Sequence, residues 1–190
     1  MKITNRQGAG SGSGAQAGST SPLPIKLISE DRIQKCVRNL GDRINEYYAG
    51  STHPLILLVV LDGAMVFASD LMRRIEIPVQ IETIKCKSYK DGTSTGKLRI
   101  TKNRSWKKSL RRRQVLIVED IIDSGLTIRT LIPHLPASTD IRVVSFLARR
   151  DAGSWPADWI GFKIPSGFVF GYGLDDADGT ERGLRDIWVR

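Results

Sequence analysis

Within the run Val115-Leu-Ile-Val-Glu-Asp-Ile-Ile-Asp-Ser-Gly-Leu-Thr127, acids, a glycine and hydroxyls stand close enough together to share one ligand. Val115 to Val118 are aliphatic without interruption, which suits a strand covered on both faces in a parallel sheet. Asp123, Ser124, Gly125, Leu126 and Thr127 then turn into a helix. The first N–H groups of a helix lack partners and point at one spot, where a phosphate gains from both the free donors and the helix dipole. Gly125 permits close backbone approach, and Ser124 and Thr127 add hydroxyl donors. Glu119 and Asp120 precede this loop, at a distance suited to the hydroxyls of a sugar whose 5′-phosphate lies in it. Any one of these residues could be an ordinary strand end or helix cap. Together they predict a ribose-phosphate site.

The elements needed to hold such a site are present in order. Ser29 is placed to cap a helix carrying Ile33, Val37, Leu40 and Ile44 at helical spacing. Beyond Gly50 the pattern alternates: a buried strand over 55–61, a helix over 63–74, a strand over 79–85, the central strand 115–118, a short helix over 126–135 ending near Pro133 and Pro136, and a strand over 141–147. This is βαβ logic, so the fold class is α/β with a mostly parallel sheet flanked by helices. Such sheets take ligands at the carboxyl ends of their strands, where the acid run and Asp62-Gly63 both fall. Asp62-Gly63 on its own would be a simple turn dipeptide. The polar stretch between Lys87 and Gln114 is too long for an idle connection and reads as a mobile lid.

A chain of 190 residues with one such pattern is expected to form one domain over 25–190. Residues 1–24, rich in Gly, Ser, Ala and Pro, are expected to be a disordered tail. The net charge of +9 raises nucleic acid or a membrane surface as partners, but a basic cleft that concentrates a small polyanion accounts for part of it. The densest run, Lys97 to Arg113, reads as a solvated loop face rather than an RNA contact. Cys36 and Cys86 lack metal-ligand spacing and are expected to be reduced thiols. The longest apolar run, over 55–61, is too short to cross a bilayer, and the N-terminus lacks the apolar stretch of a signal peptide, so a cytoplasmic protein is expected.

The acid run resembles the signature for phosphoribosyl pyrophosphate (PRPP) in type I phosphoribosyltransferases, and within them the hypoxanthine-guanine branch. Three further motifs carry that resemblance in the same order: Leu61-Asp62-Gly63-Ala64; Lys87-Ser88-Tyr89 followed by Ser94-Thr95-Gly96; and Phe168-Val169-Phe170-Gly171-Tyr172-Gly173-Leu174-Asp175. The similarity extends from about residue 25 to the C-terminus. It implies the type I fold with a small hood and a lid loop, and Mg²⁺-dependent transfer of the phosphoribosyl group from PRPP to N9 of a 6-oxopurine. Pyrophosphate leaves, and a purine nucleoside monophosphate is formed.

The resemblance also implies roles. Asp123 accepts the N7 proton or stabilises it, while 123–127 bind the 5′-phosphate. Glu119 and Asp120 position the ribose hydroxyls and, with Asp175, the metal. Asp62, Gly63 and Arg182 hold pyrophosphate; an acid at 62, where some relatives have lysine, favours contact through backbone or metal. Arg182 is matched only loosely by Glu181-Arg182-Gly183-Leu184, and Arg185 competes for its role. Ser88 and Tyr89 close the lid. Phe168 stacks on the purine, Val169 meets its edge, and Arg149 stands where the family has a lysine facing the C6 oxygen, although the Ala148-Arg149-Arg150 context also admits Arg150. This change leaves the preference among hypoxanthine, guanine and xanthine open. Family analogy gives a homodimer or homotetramer. The other readings are a PRPP-fold regulator binding nucleotide or RNA without catalysis, and a transferase for another base.

Overall fold

The computed structural model describes residues 23–89, 97–101, 106–137, 139–150, 157–176 and 178–190. Its centre is a six-stranded sheet ordered β4-β3-β2-β5-β6-β7. The strands are β2 (Leu55–Leu61), β3 (Val79–Tyr89), β4 (Lys97–Thr101), β5 (Gln114–Ile122), β6 (Asp140–Arg149) and β7 (Trp159–Ile164). The pairs joining β3, β2, β5, β6 and β7 are all parallel, and only β4 runs against its neighbour. A second sheet, ordered β1-β9-β8, is built from β1 (Ile25–Ile28), β8 (Val169–Phe170) and β9 (Ile187–Val189) and forms the hood.

Alternation along β2 explains why its residues can all be apolar. Leu55, Leu57 and Val59 face a core with Ile33, Val37, Leu40 and Ile44 of α1 (Glu30–Tyr47) and Phe67 and Leu71 of α2 (Met65–Met72). Ile56, Leu58 and Val60 face the other core, with Leu110 of α3 (Trp106–Leu110) and Ile128 and Leu131 of α4 (Leu126–Leu131). Burying an aliphatic side chain of this size contributes about 1.5–3 kcal/mol. Two covered faces therefore fix β2 at the sheet centre and its carboxyl end at one edge.

Several boundaries differ from the sequence expectations for physical reasons. The α2 helix is shorter than 63–74, since Gly63 and Ala64 are taken up by the turn leaving β2. The helix expected over 126–135 gives way at Ile132–His134 to a 3₁₀ turn around Pro133. The segment after Lys87 is not a single loop. β3 continues to Tyr89 and β4 returns beside it, pairing Tyr89 with Lys97 and Lys85 with Thr101. Ser88 and Tyr89 thus end a strand, and the remainder of the lid motif, Ser94-Thr95-Gly96, lies outside the described residues, as does most of the proposed tail. Ser29 occupies the first position of α1 but makes no side-chain cap. Asp186 does so from the far end of the chain, its Oδ1 accepting from the Glu30 N–H at 2.8 Å while Oδ2 pairs with Lys26 at 2.7 Å. The helix and the hood are joined by that carboxylate.

Candidate active site

The parallel register brings the ends of β2, β3 and β5 to one edge. Val59 pairs with Val118 and Leu61 with Lys85, so Glu119 and Asp120 emerge beside the last residues of β2. A cavity of about 480 Å³ opens there, lined by Asp62, Gly63, Lys85, Glu119, Asp120, Thr127, Asp175 and Arg182 among others. A smaller recess of about 60 Å³, formed by Glu119, Ile121, Ile122 and residues 123–128, adjoins it at the start of α4. Cavities of comparable size near Gly50–His53 and between α1 and β7 gather at most one acid among their described lining residues.

Gly125 is the residue preceding α4, with φ 74°, a left-handed conformation that glycine adopts without steric cost. The Leu126 N–H reaches the Ser124 hydroxyl at 3.3 Å, which closes the loop around the recess. Glu119 is buried, 5% exposed, and its Oε2 has no partner. Burial, then the neighbouring Asp120, push the Glu119 carboxyl well above its ordinary range. Burial likewise raises Asp120 to about 6, against the opposing effect of the Ile121 N–H that it accepts at 2.7 Å.

For an acid raised in this way, the folded state holds a proton that the unfolded chain has released, so stability present at low pH is lost as pH rises from about 4 through about 6. Asp120→Asn in metal-free protein is therefore expected to raise the melting temperature at pH 8 by about 3 °C, corresponding to roughly 1 kcal/mol for a chain of this size. The gain should vanish near pH 4. Thermal melts at the two pH values check this, and an equal gain at both would rule out the electrostatic cause.

On the other wall, Arg182 donates to the Gly173 carbonyl and to Asp175 Oδ2, both at 2.6 Å. Arg185 is exposed and turned toward Glu30, at 3.4 Å, so Arg182 is the arginine that reaches the cavity. Asp62 pairs with Lys85 across 2.7 Å, and the Leu61–Asp62 peptide is cis. Gly63 packs so tightly that an added Cβ would lie 1.6 Å from Asp120 Oδ2, while its carbonyl would lie 2.4 Å from a Cβ at Gly173. The turn carrying the purine motif is thus seated directly on the turn after β2. Tyr172 secures it from the side by donating to Asp70 of α2 at 2.8 Å.

Arg149 rather than Arg150 faces the acid loop, its Nε 3.6 Å from Asp123 Oδ1 and its Nη1 donating to the Pro165 carbonyl at 2.7 Å. Arg150 is exposed on the turn after β6. Phe168 is about half exposed and brackets Arg190 through paired backbone hydrogen bonds, whereas Val169 is buried. Lys85 was not singled out by its sequence. The available signal was positional: a strand over 79–85 parallel to 55–61 ends level with Asp62.

The donor set fits a hard cation such as Mg²⁺. Among the described residues no three ligating side chains converge closely enough to hold a metal by themselves. Mg²⁺ instead commonly takes one or two carboxylates and completes its shell with water and substrate oxygens, and the unpartnered Glu119 Oε2 beside Asp120 suits that use.

A model of the phosphoribosyl transferase domain matches residues 28–177. The hypoxanthine-guanine phosphoribosyltransferase of Mycobacterium avium is 38% identical over 172 residues, 85% of this chain and 84% of the relative. That of Bacillus subtilis is 38% identical over 157 residues, 80% and 85%. The chain belongs to the hypoxanthine-guanine phosphoribosyltransferase family. A hypoxanthine phosphoribosyltransferase of Trypanosoma cruzi, solved with the product IMP, superposes with a TM-score of 0.74 at 36% identity, covering 86% of this chain and 92% of its own. Membership in this family makes the chain an enzyme of phosphoribosyl transfer in purine salvage, with the type I fold. No described helix is long and apolar enough to cross a membrane.

Proposed function

We propose that this chain transfers the 5-phosphoribosyl group of PRPP to N9 of hypoxanthine or guanine, forming IMP or GMP and releasing pyrophosphate, with Mg²⁺ as cofactor. The observation that carries the reading is the pair of adjoining spaces at the sheet edge: a recess at the loop 123–127 sized for one phosphate, and a larger cavity with acids and an arginine for the rest.

The loop backbone with the Ser124 and Thr127 hydroxyls holds the 5′-phosphate, and Glu119 and Asp120 accept from the ribose hydroxyls. Mg²⁺, held at Glu119, Asp120 and Asp175, supplies positive charge to the diol and the leaving oxygens. Arg182 neutralises pyrophosphate as the C1′–O bond breaks, with Asp62 and Gly63 lining its berth. The purine stacks on Phe168 with its edge against Val169, and Arg149 donates to the C6 oxygen. Asp123, between the phosphate loop and Arg149, takes or stabilises the proton at N7 while N9 forms the new bond. Ser88 and Tyr89, at the root of the lid, exclude water from the developing ribose cation. The reaction is assigned to the cytoplasm, in a homodimer or homotetramer.

Arg149→Ala is expected to raise KM for hypoxanthine about 10-fold or more, the loss of one charge-assisted hydrogen bond. KM for PRPP should stay within about 2-fold, because the phosphate loop is untouched. Steady-state kinetics with each substrate varied in turn checks this split. A change confined to PRPP would remove Arg149 from the purine subsite.

The function is tested by thermal stabilisation with IMP and GMP set beside retention on RNA at moderate salt. Stabilisation by the nucleotides without RNA retention is expected. RNA retention without nucleotide stabilisation would favour a regulator.

A further inference from the structure

We propose that Lys85 is a pyrophosphate-binding residue of this enzyme, a second leaving-group cation that complements Arg182 from the β3 side of the cavity. The inference rests on the phosphoribosyl transfer proposed above and adds a residue to it.

The argument begins with charge. Among its described lining residues the cavity presents the carboxylates Asp62, Glu119, Asp120 and Asp175 but only the cations Lys85 and Arg182. A diphosphate entering such a wall meets repulsion that one arginine offsets poorly, particularly as Arg182 is already engaged with Asp175 at 2.6 Å. The side chain at position 62, immediately beside the berth, is itself an acid. Positive charge on that side of the cavity comes from the adjacent strand.

Strand register puts it there. Leu61 and Lys85 are partners in the parallel β2–β3 ladder, so Lys85 stands level with the Asp62 turn, and its Nζ lies 2.7 Å from Asp62 Oδ2. Both side chains are nearly half exposed, at 41% and 46%, so the ammonium is reachable from the cavity. An ammonium has three donors, and one contact with Asp62 leaves others to turn toward phosphate oxygens. An ion pair as open as this is weak, which suits a lysine parked at the cavity wall and available to a more highly charged partner. The wall thus repeats the arrangement of the Arg182–Asp175 pair: a cation for the phosphate, held in place by a carboxylate that faces the same space.

A purely structural bridge tying β3 to the Asp62 turn would have different consequences, and binding can separate the two. Calorimetric titration with inorganic pyrophosphate and, separately, IMP should be run in Mg²⁺ buffer on the wild-type chain, Lys85→Ala and Lys85→Arg. Lys85→Ala is expected to weaken pyrophosphate binding about 10-fold or more and to raise KM for PRPP in parallel, as removal of one charged donor would. Lys85→Arg should restore most of the affinity, and IMP, which has no diphosphate, should bind all forms alike. Wild-type pyrophosphate affinity in Lys85→Ala, whatever its melting temperature, would overturn the proposal, as would a wild-type chain with no measurable affinity for pyrophosphate. Failure of the parent reading shows separately, as a wild-type chain that binds no IMP.

Discussion

Gly63→Ala is expected to lower kcat/KM for PRPP by about 100-fold or more while the fold persists, the scale at which misplacing a reacting group by an ångström is felt. The added methyl would sit 1.6 Å from Asp120 Oδ2 and 2.7 Å from its Cγ, so the carboxylate must rotate away. Rotation breaks its contact with the Ile121 N–H and removes an oxygen from the proposed ribose site. The core beneath is untouched, since β2 and β5 stay paired through Val59 and Val118. Gly183→Ala is the matched control, because a Cβ there meets nothing within 4 Å. Kinetics and melting curves of both variants check the prediction. A Gly63→Ala enzyme with normal PRPP kinetics would mean that the Asp120 carboxylate does not act where it is placed.

Asp123→Asn is expected to lower kcat about 100-fold or more, the usual contribution of a positioned proton acceptor. KM for PRPP should change little, because asparagine keeps the size and hydrogen-bonding oxygen that the phosphate loop uses. Asp123 is well placed for such a role, 80% exposed in the open cleft and facing Arg149 at 3.6 Å. Exposure also makes that ion pair weak, so loss of the pair itself should cost little stability. Steady-state kinetics with PRPP varied at saturating hypoxanthine separates kcat from KM. An intact kcat with a raised KM would reduce Asp123 to a phosphate-loop residue.

Legibility in the sequence followed the physics of each element. β2, β5 and β6 were readable because strands covered on both faces keep unbroken apolar runs, and their carboxyl ends marked the ligand edge. The hood strands were not, because β1, β8 and β9 hold 4, 2 and 3 residues, too few to display a period. β4 was hidden for another reason: strand pairing is made by backbone, and Lys97–Thr101 carries the composition of a charged loop. Ser29 was a reasonable cap by residue type, yet the donor it should have taken went to Asp186, a contact 156 positions away that no local rule contains.

The site was legible where chemistry and chain order coincide. Glu119, Asp120 and residues 123–127 are consecutive, and they line the adjoining spaces they were expected to line. Asp175 and Arg182 arrive from the C-terminal segment, and their contact at 2.6 Å could be foreseen only through the resemblance. Lys85 escaped notice because its significance comes from lateral register with Leu61 rather than from any neighbour in sequence.

The central claim is base-dependent phosphoribosyl transfer, and its most direct test is pyrophosphate release from PRPP and Mg²⁺ with hypoxanthine, guanine, xanthine, adenine or no base. Rapid release with hypoxanthine or guanine, matched by IMP or GMP and nearly absent with adenine or no base, is the predicted result. PRPP binding with no release for any base, or release indifferent to the base supplied, would contradict the account.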